Sequence, residues 1–354
     1  MKRRALIKRS LAGLYFFLLL IFISEVVLRV FHLVHTRVVN ESIYPGLLGD
    51  YKPLQDLSSD LILPHHIKIN SQGLRGPEIN INKQKYSFRI VILGDSFTFG
   101  SRVNDTETFP FQLETLLEEG RKSDEKIEVI NAGHGAYSTR EEYEYFLERG
   151  IHLHPDVLIL AWFPNDITEL SRADSWRHLL KGHYKFEPFK SYMRSLAVFN
   201  ALRINVSYAF IKLKMGSYVS KEIVDIFDAE DTALEQKLWD SCFAYILRLK
   251  QFCDKEKIRF LLAALPDFKQ FSLNNEFRPQ GRLKVFSEVN QISFLNLSDR
   301  FKSFAIGRDI NELYLFPKDC HFSALGNYLV AKELFDYMNS NFYWKLVKAD
   351  RRAD

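Results

Sequence analysis

Four short groups of residues along this chain carry the types that acyl transfer through a serine requires: Gly94-Asp95-Ser96, Asn131-Ala132-Gly133-His134-Gly135-Ala136, Pro164-Asn165-Asp166 and Asp319-Cys320-His321. That chemistry needs a nucleophile, a base to take its proton, an acid to orient the base, and donors for the oxyanion. Ser96 is the candidate nucleophile, and its own N–H is one candidate oxyanion donor. His321 is the candidate base; Asp319, two residues earlier, is the nearest carboxylate able to orient the ring and stabilise its cation. Asn165 offers a neutral side-chain donor, and Gly133 and Gly135 let backbone N–H groups near Ala136 face a shared cleft. Asp95 and Asp166 stand beside the nucleophile and the amide as supporting groups. Each group also has a plain alternative: a helix cap at Asp95-Ser96, ordinary turns at 131–136 and 165–166, and a surface histidine at 321. What favours chemistry is that three consecutive strand ends each offer one component.

Those strands are nearly continuous apolar runs at residues 88–93, 126–130, 156–162, 258–265 and 292–297, the pattern of a sheet buried on both faces. Helical segments separate them. Residues 106–119 end at Gly120; residues 138–149 open on a Ser138-x-x-Glu141 capping box and end at Gly150. Further helices are expected at 229–254 and at 323–339, the latter capped by Ser323. The alternation predicts a parallel sheet with helices on both faces, so that residues far apart in sequence converge along the sheet's carboxyl edge.

A length of 354 residues with 47% hydrophobic content suits one main domain with appendages. The net charge of +4 is small, and much of the excess lies in Lys2, Arg3, Arg4, Lys8 and Arg9, which leaves no basic face to suggest nucleic acid. The cysteines, Cys242, Cys253 and Cys320, fit neither a disulfide framework nor a zinc site, and no cofactor motif is present. Behind the basic terminus, residues 11–34 form an apolar helix long enough to span a bilayer of ~30 Å, with Glu25 and Arg29 as an i,i+4 pair near one interface. No small-x-small cleavage site follows, so the expectation is an uncleaved anchor with residues 1–10 in the cytoplasm and the rest outside. Residues 35–85 read as an extended juxtamembrane segment, and 86–345 as the main domain. Residues 167–228, rich in aromatics and basic residues, interrupt the rhythm as an insertion that either walls the site or is a packing excursion.

The ordered motifs resemble the four blocks of the SGNH/GDSL hydrolases, in which Ser, Gly, Asn and His correspond here to Ser96, the 133–136 loop, Asn165 and His321. The resemblance is closest to membrane-anchored bacterial members, from the terminal helix with Glu25 and Arg29, through Asn70-Ser71-Gln72-Gly73-Leu74-Arg75-Gly76, to the last helix. It implies a flavodoxin-like three-layer α/β/α sandwich with about five parallel strands. It also implies that His321 deprotonates Ser96, that Ser96 attacks an ester carbonyl to form an acyl-enzyme, and that the oxyanion rests on the Ser96 N–H, a loop N–H near Ala136 and the Asn165 side chain. Two positions depart from the family pattern. Ala136 stands at the usual glycine, and Lys318 stands where the acid is more common, leaving Asp319 in a spacing found in acetyltransferase-like members. An exoplasmic esterase acting on an acylated glycan or lipid, an O-acetyltransferase of an envelope polysaccharide, and a non-catalytic glycan-binding protein are the readings this supports.

Overall fold

The computed structural model describes residues 2–31, 51, 53–54, 56–58, 65–84, 87–120, 126–170, 196–199, 202, 232–272, 277–316 and 318–341. In chain order the main elements are α1 (Lys2–Val30), β1 (Ser87–Gly94), α2 (Ser96–Phe99), α3 (Phe109–Glu119), β2 (Lys126–Gly133), α4 (Thr139–Glu148), β3 (Val157–Trp162) and α5 (Asn165–Leu170). There follow α6 (Ala233–Lys255), β4 (Arg259–Ala264), α7 (Lys269–Ser272), α8 (Arg278–Val289), β5 (Ser293–Asn296), α9 (Ser298–Ala305) and α10 (Ala324–Asn341).

The five expected strands form one sheet in the order β2-β1-β3-β4-β5, and every pairing is parallel. Side chains alternate across it, as the period-2 pleat demands. Phe88, Ile90 and Ile92 of β1 pack with Phe109, Leu113 and Leu117 of α3 and with Val330, Leu334 and Met338 of α10. Val91 and Leu93 face the other way, into Tyr145 and Phe146 of α4 and Trp239, Ile246 and Leu249 of α6. The result is a three-layer α/β/α sandwich. Each such buried side chain contributes roughly 1.5–3 kcal/mol through removal from water, and Trp162 stacks on Trp239 with ring centroids 5.7 Å apart at the back of the site. At the opposite, amino-terminal edge the fully buried Arg89 is neutralised by Glu128 at 2.7 Å and donates to the carbonyls of Leu153 and Asn80.

Helix ends follow the residues that cap them. Ser138 and Glu141 close the expected capping box on α4. Ser323 Oγ accepts the Gly326 N–H at 3.1 Å at the start of α10. Helix α3 begins with proline in its first turn, later than expected, because residues 105–107 form a separate 3-10 turn capped by Asn104. Cys242 and Cys253 lie buried along α6, and neither they nor Cys320 is in a disulfide.

Helix α1 carries one 22-residue stretch, Arg9–Val30, with a mean hydropathy of 2.5, long and apolar enough to cross a membrane. Leu14, Phe16, Phe17 and Phe22 project outward from it. Arg29 pairs with Glu25 at 2.7 Å, and Glu25 also accepts the N–H groups of Ala197 and Val198, each at 2.9 Å, from the inserted segment. Residues 32–34 of the expected anchor and most of the expected insertion at 167–228 lie outside the described residues. Of the expected juxtamembrane segment at 35–85, the described residues between 51 and 84 hold only isolated bridges and turns, and they are packed on the domain. Leu57, Ile67 and Ile69 form a small core with Phe99, and Leu74 joins the core on the α4–α6 face.

Candidate active site

The sheet order reverses between β1 and β3, and the carboxyl ends of strands at such a switch point are where open α/β sheets bind ligands. The register aligns Gly94 with both Gly133 and Ala161. Ser96, two residues beyond Gly94, and Asn165, three beyond Trp162, therefore leave adjacent strands on the same edge. Both strand-end glycines are required by close approach: a Cβ on Gly94 would sit 2.0 Å from Thr98 Oγ1, and one on Gly133 would sit 2.3 Å from the Phe99 nitrogen. The Ser96 turn α2 is thus pressed against both strands.

His321 reaches Ser96 from the loop before α10. Its Nε2 lies 2.8 Å from Ser96 Oγ, and its Nδ1 is hydrogen-bonded to Asp319 Oδ1, which also accepts the His321 backbone N–H at 3.0 Å. The loop is short enough to do this because Leu315 donates to the His321 carbonyl at 2.9 Å and Tyr314 pairs with Phe322, closing a tight hairpin. The imidazole rests on Phe97, with centroids 4.8 Å apart, and Phe97 stacks on Phe163 at 3.7 Å. Burial alone would push the Asp319 carboxyl up, but hydrogen bonds from His321 and the charges of His321 and Arg102 bring it below the ordinary aspartate range. Arg102 Nε stands 3.6 Å from Asp319 Oδ2.

Asp95, buried beside Ser96, accepts the Phe97 N–H at 2.8 Å as the cap of α2, so the capping alternative holds for that residue. Its other oxygen accepts one N–H of the Asn165 side chain at 2.8 Å. The amide nitrogen has a second hydrogen, so this bond orients Asn165 without exhausting it as a donor. Burial raises the Asp95 carboxyl, partly offset by the Phe97 and Asn165 bonds. In the 133–136 loop, Gly135 donates its N–H to Tyr51 Oη at 3.4 Å, and exposed Ala136 adopts a left-handed conformation with φ of 63°. That is the conformation glycine would favour there, and alanine holds it at a strain of roughly 1–2 kcal/mol. His134 is buried and stacked against Tyr137 and Tyr51, with centroids 4.7 and 5.7 Å away, which removes it from the cleft.

Asp166 accepts the Phe163 N–H at 3.3 Å through Oδ2 and is fully buried, with Oδ1 lacking a hydrogen-bond partner. Glu142 of α4 is equally buried, and neither of its oxygens has one. Burial pushes both Glu142 and Asp166 well above the usual carboxylate range, helped at Glu142 by the charges of Asp95 and Glu141 and at Asp166 by those of Glu142 and Asp95. Glu142 and Arg102 leave no signal in the sequence, because a charged residue in an amphipathic helix or a loop reads as solvated until its neighbours are known; Arg75 stands in the 70–76 motif, but its partners are not readable from it. The ligand atoms of Asp319, Cys320 and His321 lie within 4.8 Å of one another. Both His321 ring nitrogens are engaged, one by Ser96 and one by Asp319, which is the connectivity of a proton relay and not of a metal centre.

Fold and site together define a class: a parallel α/β/α sandwich with a serine, histidine and aspartate linked in series at the carboxyl edge of its sheet. Solved structures similar to this chain include a protein assigned to the lipolytic G-D-S-L family from Desulfitobacterium hafniense DCB-2, with 17% identity, 70% of this chain and 98% of that chain covered, and a TM-score of 0.41. Another is a catalytic mutant of an acetylxylan esterase from Geobacillus stearothermophilus, with 15% identity, 73% and 95% coverage and a TM-score of 0.42. No protein-family model and no curated protein matches the chain.

Proposed function

We propose that the chain is a membrane-anchored serine ester hydrolase of the SGNH/GDSL type, acting through an acyl-enzyme on an O-acyl ester outside the membrane. The observation that carries this is the 2.8 Å contact between His321 Nε2 and Ser96 Oγ, with the far side of the same ring held by Asp319. His321 takes the Ser96 proton as Oγ attacks the ester carbonyl, and Asp319 stabilises the resulting imidazolium. Charge on the carbonyl oxygen is met by the Ser96 N–H, the Ala136 N–H and the remaining Asn165 amide hydrogen. His321 then returns the proton to the departing alcohol. Water, deprotonated by the same histidine, attacks the acyl-enzyme and releases the acid.

In this reading residues 86–345 form the catalytic unit, 11–34 cross the bilayer, and 1–10 stay in the cytoplasm with their basic residues. The anchor favours substrates close to the membrane surface, an acylated glycan or lipid. The two-residue spacing of Asp319 and His321 supports a second reading, transfer of the acyl group to a polysaccharide hydroxyl.

The test is hydrolysis of aryl esters of increasing acyl length by the detergent-solubilised full chain and by Ser96→Ala, with and without an oligosaccharide acceptor. Hydrolysis by the wild type alone is expected. Retained activity in Ser96→Ala refutes the nucleophile; acylated sugar appearing faster than free acid replaces hydrolase with transferase; an inactive wild type across the series favours a binding role.

A further inference from the structure

The residue that ties the membrane-proximal segment to the catalytic loops is Arg75. Its guanidinium is buried, yet it meets a full set of acceptors: Nη1 donates to the carbonyls of Phe99 at 2.8 Å and Gly100 at 2.5 Å, Nη2 to that of Val103 at 2.7 Å, and Nε to Asp105 Oδ1 at 2.8 Å. Helix α2 is only four residues long, so the Phe99 carbonyl at its end has no following helical turn to bond with, and the Gly100 carbonyl has only a long bond from the Val103 N–H at 3.4 Å. Arg75 supplies those bonds. The nucleophile turn is thereby held at both ends, by Asp95 before Ser96 and by Arg75 after Phe99.

Arg75 also reaches the second catalytic loop. Its backbone bridges antiparallel to Asn131, whose side chain accepts the Gly133 N–H at 3.0 Å and donates to the Phe99 carbonyl at 3.4 Å. Nearby, Tyr51 of the same segment stacks on Phe99 at 4.7 Å and accepts the Gly135 N–H. One guanidinium thus stands where the nucleophile turn and the 133–136 loop meet, and it comes from the stretch of chain between membrane and domain.

We propose that Arg75 is a positioning residue that sets the spacing between Ser96 and the oxyanion donors of the 133–136 loop, so that the juxtamembrane segment is part of the catalytic apparatus. This rests on the serine esterase reading. Lysine carries the charge but not the planar fork, and cannot serve three carbonyls and a carboxylate in those directions at once.

The test is the full chain in detergent carrying Arg75→Lys, assayed with an aryl acetate. The expected result is a fall in kcat per folded molecule of about tenfold or more, since displacement by about 1 Å can lower rate by about a hundredfold, with KM within about twofold and a lower melting temperature from the acceptors left unpaired. Wild-type kcat per folded molecule would overturn the proposal. If Arg75→Lys does not fold, Asp105→Asn loosens the Nε hold and leaves the carbonyl bonds in place; a kcat reduced about threefold at constant KM supports the proposal, and an unchanged kcat overturns it. Ser96→Ala run in parallel separates the two levels: an active Ser96→Ala sinks the esterase reading, whereas an inactive Ser96→Ala beside a normal Arg75→Lys sinks this inference alone.

Discussion

Asn165 donates a side-chain N–H to Asp95 at 2.8 Å, so the amide at the end of β3 is aimed by the residue that precedes Ser96 at the end of β1. The nitrogen side of the amide is thereby fixed, and its free hydrogen has a defined direction. Asp95 does two things with two oxygens, capping α2 through the Phe97 N–H and orienting Asn165.

Asn165→Ala is expected to lower kcat by about 10²–10³ with KM little changed, the signature of a donor used in the transition state. Asp95→Ala should lose a similar share of kcat and about 1 kcal/mol of stability from the missing cap. If Asp95 acts through Asn165, the double variant is scarcely slower than Asn165→Ala. Fully additive losses in kcat would break the link between the two residues.

Asp319→Asn should reduce kcat by a factor on the order of 10⁴ by removing the partner that orients and stabilises His321. Its effect on stability has a definite sign. Asp319 titrates below its unfolded value in the folded protein, so it contributes stability above about pH 4 that is lost as pH falls through its folded value. The wild type should melt higher than Asp319→Asn at neutral pH, with the two melting temperatures converging in acid. A gap that widens in acid would contradict this assignment.

Glu142 has the opposite sign. Its folded value lies well above its unfolded one, so its contribution to stability is greatest in acid and declines as pH rises from about 4.3 through the folded value. Glu142→Gln, neutral throughout, should therefore melt above the wild type at pH 8–9 and approach it near pH 4. Thermal melts across this range decide the matter: a difference independent of pH would mean that the buried carboxyl is not the titrating group.

Ala136 holds a left-handed backbone at φ of 63°, which glycine adopts freely and a β-branched residue resists. Ala136→Gly should keep wild-type kcat, and Ala136→Val should lose activity by displacing the local N–H. Steady-state kinetics of the pair would exclude a role for this loop if Ala136→Val were fully active.

Much of this was legible in the linear chain. Continuous apolar runs marked all five strands, because only a sheet covered on both faces needs side chains of that kind at every position. Ser96 and Asn165 could be nominated because each follows a strand, and a parallel sheet brings strand ends to one edge; His321 could be nominated because it precedes the last helix with Asp319 two residues before it. Helices α8 and α9 were not foreseen; their exposed faces interrupt the apolar pattern with charges.

The sequence by itself determined the elements, their order and the side chains at their ends, since these depend on local periodicity and on residue type. Only the tertiary structure decided that His321 meets Ser96, that Asp95 aims Asn165, that Glu142 is buried without a hydrogen-bond partner, and that Arg75 braces the Ser96 turn. The Ser96–His321, Asp95–Asn165 and Arg75 contacts join positions distant in the chain, and Arg75 meets mostly backbone carbonyls, which every residue possesses and which therefore carry no signature of their own in the sequence.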